Sequence, residues 1–110
     1  MSSAGEGRSR TNIAPQALFM MNSRFVAERA RGLAKLLLAE GGDDSARVRR
    51  AYLLTIGRKL PSDSPQPEVS EALDYMRGFE QKRPGENARI DAWESFCRVL
   101  LGSNDFVYVN

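Results

Sequence analysis

Apolar residues recur at three- and four-residue steps along most of this chain, a pattern that predicts helices. In the first segment Leu18, Met21 and Phe25 form one stripe, and Val26, Ala30, Leu33 and Leu37 form a second. The two stripes are offset by one residue. A break at Asn22-Ser23 explains the offset, with Ser23 able to cap the second part of the segment. Pro15 suits a first helical position, and Gly41-Gly42 suits the stop. The second helix comes after Asp43, Asp44 and Ser45, which supply a cap and negative charge at its positive end. Its inner face is predicted as Val48, Ala51, Tyr52, Thr55 and Ile56, and Gly57 ends it. A proline-rich loop, PSDSPQP, leads to the third helix, with Val69, Leu73, Met76 and Phe79 or Glu80 inward and Pro84-Gly85 as its stop. Asn87 is expected to cap the fourth, where Ile90, Trp93, Cys97, Leu100 and Leu101 make the clearest apolar stripe in the chain.

After Gly102 the period changes. In SNDFVYVN, Phe106 and Tyr108 alternate with Val107 and Val109, a period-two pattern with no partner strand elsewhere in the sequence. The phrase echoes an earlier one: FMMNSRFV at residues 19–26 and LLGSNDFVYV at residues 100–109 each run from apolar residues through small polar ones to Phe-Val. Asn, Ser and Asp bond to nearby backbone and favour helix ends. Both phrases are therefore expected to end a helix and turn a Phe back into the core. The tail is expected to pack over the helices, the alternative being an edge offered to another chain.

The fold class is thus all-α: a compact antiparallel bundle of about four helices, the first broken near Asn22-Ser23, with an irregular C-terminal tail packed on it. Residues 1–12, MSSAGEGRSRTN, read as a disordered leader and residues 13–110 as a single helical domain. A chain of 110 residues can bury most of one core without metal or disulfide help.

Composition narrows the chemistry. There is no histidine and one cysteine, Cys97. That excludes an intramolecular disulfide, a multi-cysteine zinc site, and any Ser-His-Asp or Cys-His arrangement. Cys97 lies within an apolar stripe and reads as a buried, inert thiol. Met20, Met21 and Met76 read as core fillers rather than haem ligands. GRKLPSDS, residues 57–64, has the wrong spacing for a phosphate loop and comes after a helix, not a strand. Glu71 and Asp74, one turn apart, read as a solvated acidic face. No apolar run is long enough to span a membrane, and the N-terminus has no apolar region of a signal peptide. No catalytic residue, cofactor or metal is assigned, and the chain is expected not to be an enzyme.

The net charge of +2 hides an asymmetry. Residues 1–60 hold 11 basic against 5 acidic residues, whereas residues 61–110 hold 5 against 9. The plain reading is that the halves attract each other within the fold. The feature with functional pull is a basic row on the second helix. Arg47, Arg50 and Leu54 fall opposite Val48 and Tyr52, and Arg58 and Lys59 extend the row. These five, with Phe106 and Tyr108 of the tail, are the candidate partner-binding residues. A protein partner is favoured over nucleic acid, because few aromatics are available for stacking and the second half is acidic. A monomer or weak homodimer is expected.

Several phrases together resemble the C-terminal end of a planctomycete-type family, the PSD domain or domain of unknown function 1553. The family's Pro-Gln-Ala-Leu-Phe-hydrophobic-Met-Asn-Ser-x-Phe-Val is matched by residues 15–26. Its Arg-x-Tyr-x-x-x-hydrophobic-Gly-Arg is similar to RAYLLTIGR, residues 50–58. Its closing Trp, Cys and Leu-Leu-x-Ser-Asn-acidic-Phe-hydrophobic-Tyr-Val are matched by Trp93, Cys97 and residues 100–109. Arg24 stands where a proline is common, and the loop PSDSPQP is longer than the family pattern. The resemblance implies large exported bacterial proteins, often with cytochrome c-like modules, and it supplies no catalytic residues. A piece of such a protein would lie outside the cytoplasm, and a free-standing chain would be cytoplasmic. The function expected is a non-catalytic helical docking or capping module of a larger exported protein or assembly. The alternative is a small regulatory nucleic-acid-binding protein using the basic face.

Overall fold

The computed structural model describes residues 24–103. Within them the chain forms four helices: α1 (Arg24–Ala39), α2 (Asp44–Thr55), α3 (Pro67–Lys82) and α4 (Ala88–Gly102). No strand occurs among the described residues. The all-α bundle expected from the periodicity is the fold observed. The break at Asn22-Ser23, the leader and the alternating tail lie outside the described residues.

Each helix end has a local cause. Asp43 is the N-cap of α2, its carboxylate accepting from the Ala46 N–H at 2.9 Å. At the other end Gly57 takes a positive φ of 77°, which glycine adopts freely, and this turns the Arg58 N–H back onto the Tyr52 carbonyl at 3.3 Å. Pro67 opens α3, where its missing N–H costs nothing. At α4 the expectation was wrong in detail. Asn87 precedes the helix, but its side chain makes no capping bond. Its backbone sits at φ −99° and ψ 10°, away from the extended geometry that lets a cap side chain reach forward, and the Ala88 N–H is taken by the Gly85 carbonyl instead.

Chain directions emerge from the contacts. Arg47, near the start of α2, bonds the Leu37 and Glu40 carbonyls at the end of α1. Asp44 of α2 pairs with Arg89 of α4, and the Tyr52 and Phe96 rings meet at 6.2 Å, so α2 and α4 run parallel. Tyr75 of α3 bonds Ser95 of α4, and the short connection between them turns α3 antiparallel to α4. Arg31 of α1 reaches Asp91 and Glu94 of α4. One end of the bundle therefore gathers the end of α1 with the starts of α2 and α4. The opposite end gathers the start of α1 with the ends of α2 and α4.

The helix α4 is the centre: α1, α2 and α3 all pack on it, α1 most extensively. The α1 side of that contact is built on alanine. Ala30 and Ala34 are fully buried, as is Ala92 of α4. Small side chains let two helix backbones approach closely. Trp93, Phe96, Cys97 and Leu100 complete the buried face of α4, with Trp93 set edge-on to Phe96 at 6.0 Å. Ile90 and Leu101 of the expected stripe are partly buried against this core. Phe96 and Leu60 are buried and were not anticipated. Phe96 falls between the Trp93 and Cys97 positions and faces α2. Leu60 belongs to no periodic pattern, because the loop alone carries it inward.

Two expected core residues are not in the core. Ile56 lies one residue past the last turn of α2, where the chain is leaving the bundle, and is exposed. Phe25 is 54% exposed, whereas Val26 is buried. The stripe of α1 runs through Val26, Ala30, Ala34 and Leu37, and one residue earlier means about 100° of rotation off that face. Phe25 instead carries the Arg29 guanidinium 5.4 Å above its ring. The idea that both Phe-Val phrases turn their Phe inward thus fails for Phe25. Phe106 lies outside the described residues.

Trp93 is 1% exposed where all these helices converge. Trp93→Ala is expected to lower the unfolding free energy by about 3–5 kcal/mol in urea melts. A loss below about 1 kcal/mol would contradict its central place.

Candidate functional site

The basic row of α2 separates into groups with different surroundings. Arg47, expected to be outward, is drawn against α1, and its side chain is 15% exposed. Its Nε donates to the Leu37 carbonyl at 3.0 Å and its Nη2 to the Glu40 carbonyl at 3.1 Å. Leu37 lies in the last turn of α1 and Glu40 just past its end, where the carbonyls run out of helical partners; the Leu37 carbonyl also accepts from the Glu40 N–H at 3.3 Å. A cation at that negative end is favoured twice, by hydrogen bonding and by the helix dipole. Its Nη1 also reaches Asp44 at 2.7 Å. A wheel drawn for α2 alone cannot register that α1 ends beside Arg47. This correction takes Arg47 out of any surface for a partner.

Asp44 is the second piece of this knot. It accepts two bonds from Arg89, at 2.8 and 3.1 Å, besides the one from Arg47. The Arg89 bonds first, and Arg47 next, hold its carboxyl below its ordinary value of 3.8. One carboxylate thus ties the starts of α2 and α4 to the guanidinium that caps α1.

Arg50 is exposed and lies 3.4 Å from the Glu40 carboxylate, so it too faces α1. Leu54 comes next on that side of α2 and is 43% exposed. Arg58, past the helix, pairs with Glu68 of α3. Lys59 is exposed. The structure brings Arg47, Arg50 and Leu54 onto the α1-facing side of α2 and turns Arg58 toward α3. Phe106 and Tyr108 lie outside the described residues. The charge asymmetry is likewise used internally in part, since Arg31 and Arg58 of the basic half pair with Asp91, Glu94 and Glu68 of the acidic half.

Sequence reasoning placed Leu54 outward, but left Leu53 unassigned and read Ile56 as inward. Leu53, Leu54 and Ile56 are all exposed within four positions, on more than one side of the helix. The run LLTI was the available signal, but its period put Ile56 with the core stripe.

Chemistry elsewhere is limited. Burial pushes the Cys97 thiol up to about 12, with the Glu94 charge adding to it, so little thiolate exists at neutral pH. No cluster of three or more His, Cys, Asp or Glu side chains is arranged for a metal among the described residues. An open cavity of about 660 Å³ lies between the start of α2 and residues 62–67, lined by Arg49, Ser62, Asp63, Ser64 and Ser70 among others. A smaller cleft of about 460 Å³ holds Arg83, Asp91, Glu94 and Arg98. Its charges are of both signs, with Arg98 paired to Glu94 at 2.9 Å and Asp91 paired to Arg31. No helix among the described residues is long and apolar enough to cross a membrane.

The sequence profile of the PSD1 family, described as a protein of unknown function (DUF1553), matches residues 1–74. No curated protein and no solved structure matches the chain. The match spans about two thirds of the 110 residues, and the chain belongs to this family.

The knot has two measurable consequences. Arg47→Ala removes the side-chain bonds to the Leu37 and Glu40 carbonyls and one of the bonds to Asp44, and is expected to cost about 1–3 kcal/mol in denaturant unfolding, against under about 0.5 kcal/mol for exposed Lys59→Ala. The Asp44 stabilisation is present above the unfolded carboxyl value near 3.8 and is lost as pH falls through the lower folded value. Melting temperature should therefore drop below about pH 4 in the wild type, and Asp44→Asn should remove that part of the drop.

Proposed function

For this member of the PSD1 family we propose a non-catalytic helical docking or capping module within a larger exported bacterial protein or assembly, binding protein rather than nucleic acid. The observation that carries the reading is the apolar end of α2. Leu53 and Ile56 are exposed at 41% and 38%, next to exposed Lys59. A small group of exposed apolar side chains beside a cation suits a protein partner that brings an apolar patch and a carboxylate. The nucleic-acid alternative depends on Arg47, Arg50, Arg58 and Lys59 acting as a free basic row. Three of these four are engaged by carbonyls or carboxylates of the chain itself. A phosphate backbone would have to compete with those partners. The location outside the cytoplasm belongs to the proposal and rests on the family resemblance.

A photo-crosslinking residue in place of Leu53, in the native host, is expected to yield one discrete protein adduct that disappears in an Ile56→Glu background. That background should keep the wild-type melting temperature to within a degree or two, because Ile56 is exposed. In parallel, anisotropy with random duplex DNA is expected to show no binding between about 50 and 200 mM salt. Tight binding that collapses steeply over that range, with no protein adduct, would replace the docking reading with the nucleic-acid one.

A further inference from the structure

We propose that the cleft between α3 and α4 is a binding site for a small organic carboxylate, held by the guanidinium groups of Arg83 and Arg98. The proposal does not rest on the docking reading above, which concerns the end of α2.

Asp91, Ser95 and Arg98 lie at four- and three-residue steps, with Glu94 beside Ser95, so one side of α4 is polar. Phe79 and Arg83 face that side from α3, and the cleft lined by these residues has a volume of about 460 Å³. A space of that size suits a small molecule. The Ser95 hydroxyl is bonded to Tyr75 of α3 and is already used. The two arginines enter from opposite ends. Arg83 stands just past the end of α3 and folds back four residues, its Cζ 5.5 Å from the centroid of the Phe79 ring. Arg98 folds back four residues onto Glu94, Nη2 to Oε2 at 2.9 Å. Because α3 and α4 run antiparallel, both folds lead toward the middle of the cleft.

Donors there outnumber acceptors. Glu94 gives one oxygen to Arg31 and the other to Arg98, and Asp91 is paired to Arg31 at 2.6 Å. Arg83 meets no carboxylate among the described residues, and stacking on Phe79 leaves the N–H groups in its plane free. Arg98 Nε is buried without an acceptor. Nε and Nη2 form one edge of the guanidinium, so Glu94 fills half of an edge that a carboxylate can fill completely. Nε is covered where it stands, and binding therefore includes a rotation of the Arg98 guanidinium that brings Nε out to the ligand. The charge count selects the ligand. Three guanidiniums, of Arg31, Arg83 and Arg98, face two carboxylates, of Asp91 and Glu94, which leaves one positive charge. A single carboxylate closes that balance, whereas a phosphate dianion overshoots it beside two acids. Phe79 supplies an apolar wall for the organic part of the ligand.

The test titrates benzoate into the full chain and follows the arginine Nε–H resonances. Arg83 and Arg98 are expected to shift saturably, and the other exposed arginines to stay in place. Arg83→Gln should weaken binding about tenfold or more, the worth of one charge-assisted contact. Its melting temperature should stay within a degree or two of the wild type, because Arg83 is exposed. Glu94→Gln frees Arg98 and adds one positive charge to the cleft, so it should tighten binding, which a residue that only braces the helices would not do. Shifts that grow without saturating, or that spread equally over the exposed arginines, overturn the proposal. So does unchanged binding in Arg83→Gln, or weaker binding in a folded Glu94→Gln variant. Inorganic phosphate bound more tightly than benzoate overturns the assignment to a carboxylate.

Discussion

Three helices share one partner in this protein, and that sharing constrains everything else. Because α1, α2 and α3 all pack on α4, α4 has to be apolar over about half of its circumference. A helix on the surface of a bundle buries a single stripe. Here Ala92, Trp93, Phe96, Cys97 and Leu100 span about 140° of the helix, and Ile90 and Leu101 widen it to about 180°. The charged residues of α4 are used as fasteners, Asp91 and Glu94 to α1 and Arg89 to α2, with Arg98 held to Glu94 on the same helix. The α1 side of α4 is packed by alanine, and Phe96 meets the Tyr52 ring of α2 at 6.2 Å.

A second constraint is polar and sits at one end. The last carbonyls of α1 and the first turns of α2 and α4 converge there, each with backbone groups that a helix cannot satisfy internally. Arg47 and Asp44 answer both needs, the guanidinium covering carbonyls and the carboxylate joining two arginines. The opposite end has no equivalent knot among the described residues. It gathers exposed Phe25, Leu53, Leu54 and Ile56, and it is where both undescribed segments join the bundle. The two ends therefore differ in kind, one fastened by charge and the other apolar and accessible.

The number of helices, their approximate bounds and their inward faces were legible from periodicity and end signals. Gly57 stops α2, Asp43 caps it, and Val48, Met76, Trp93 and Cys97 are buried as their spacing implies. These depend on interactions within about four residues, which a linear pattern records. The exclusions were legible too, since a chain without histidine and with one cysteine lacks the groups that the excluded chemistries require.

What failed was decided across helices. Arg47 on a wheel is a surface cation, and it becomes largely covered because α1 happens to end beside it. Phe25 and Ile56 are apolar residues near inward stripes, yet a rotation of about 100° or one residue past a helix end leaves them in solvent. Leu60 is inside because a loop passes over the core, and no period announces that. The sequence by itself determined which segments become helices and which face of each is apolar, because side-chain spacing and end chemistry are local. The tertiary structure decided which helix lies at the centre, which arginines are consumed internally and which apolar residues remain open to a partner, because each of these depends on residues far apart in the chain being brought to the same place.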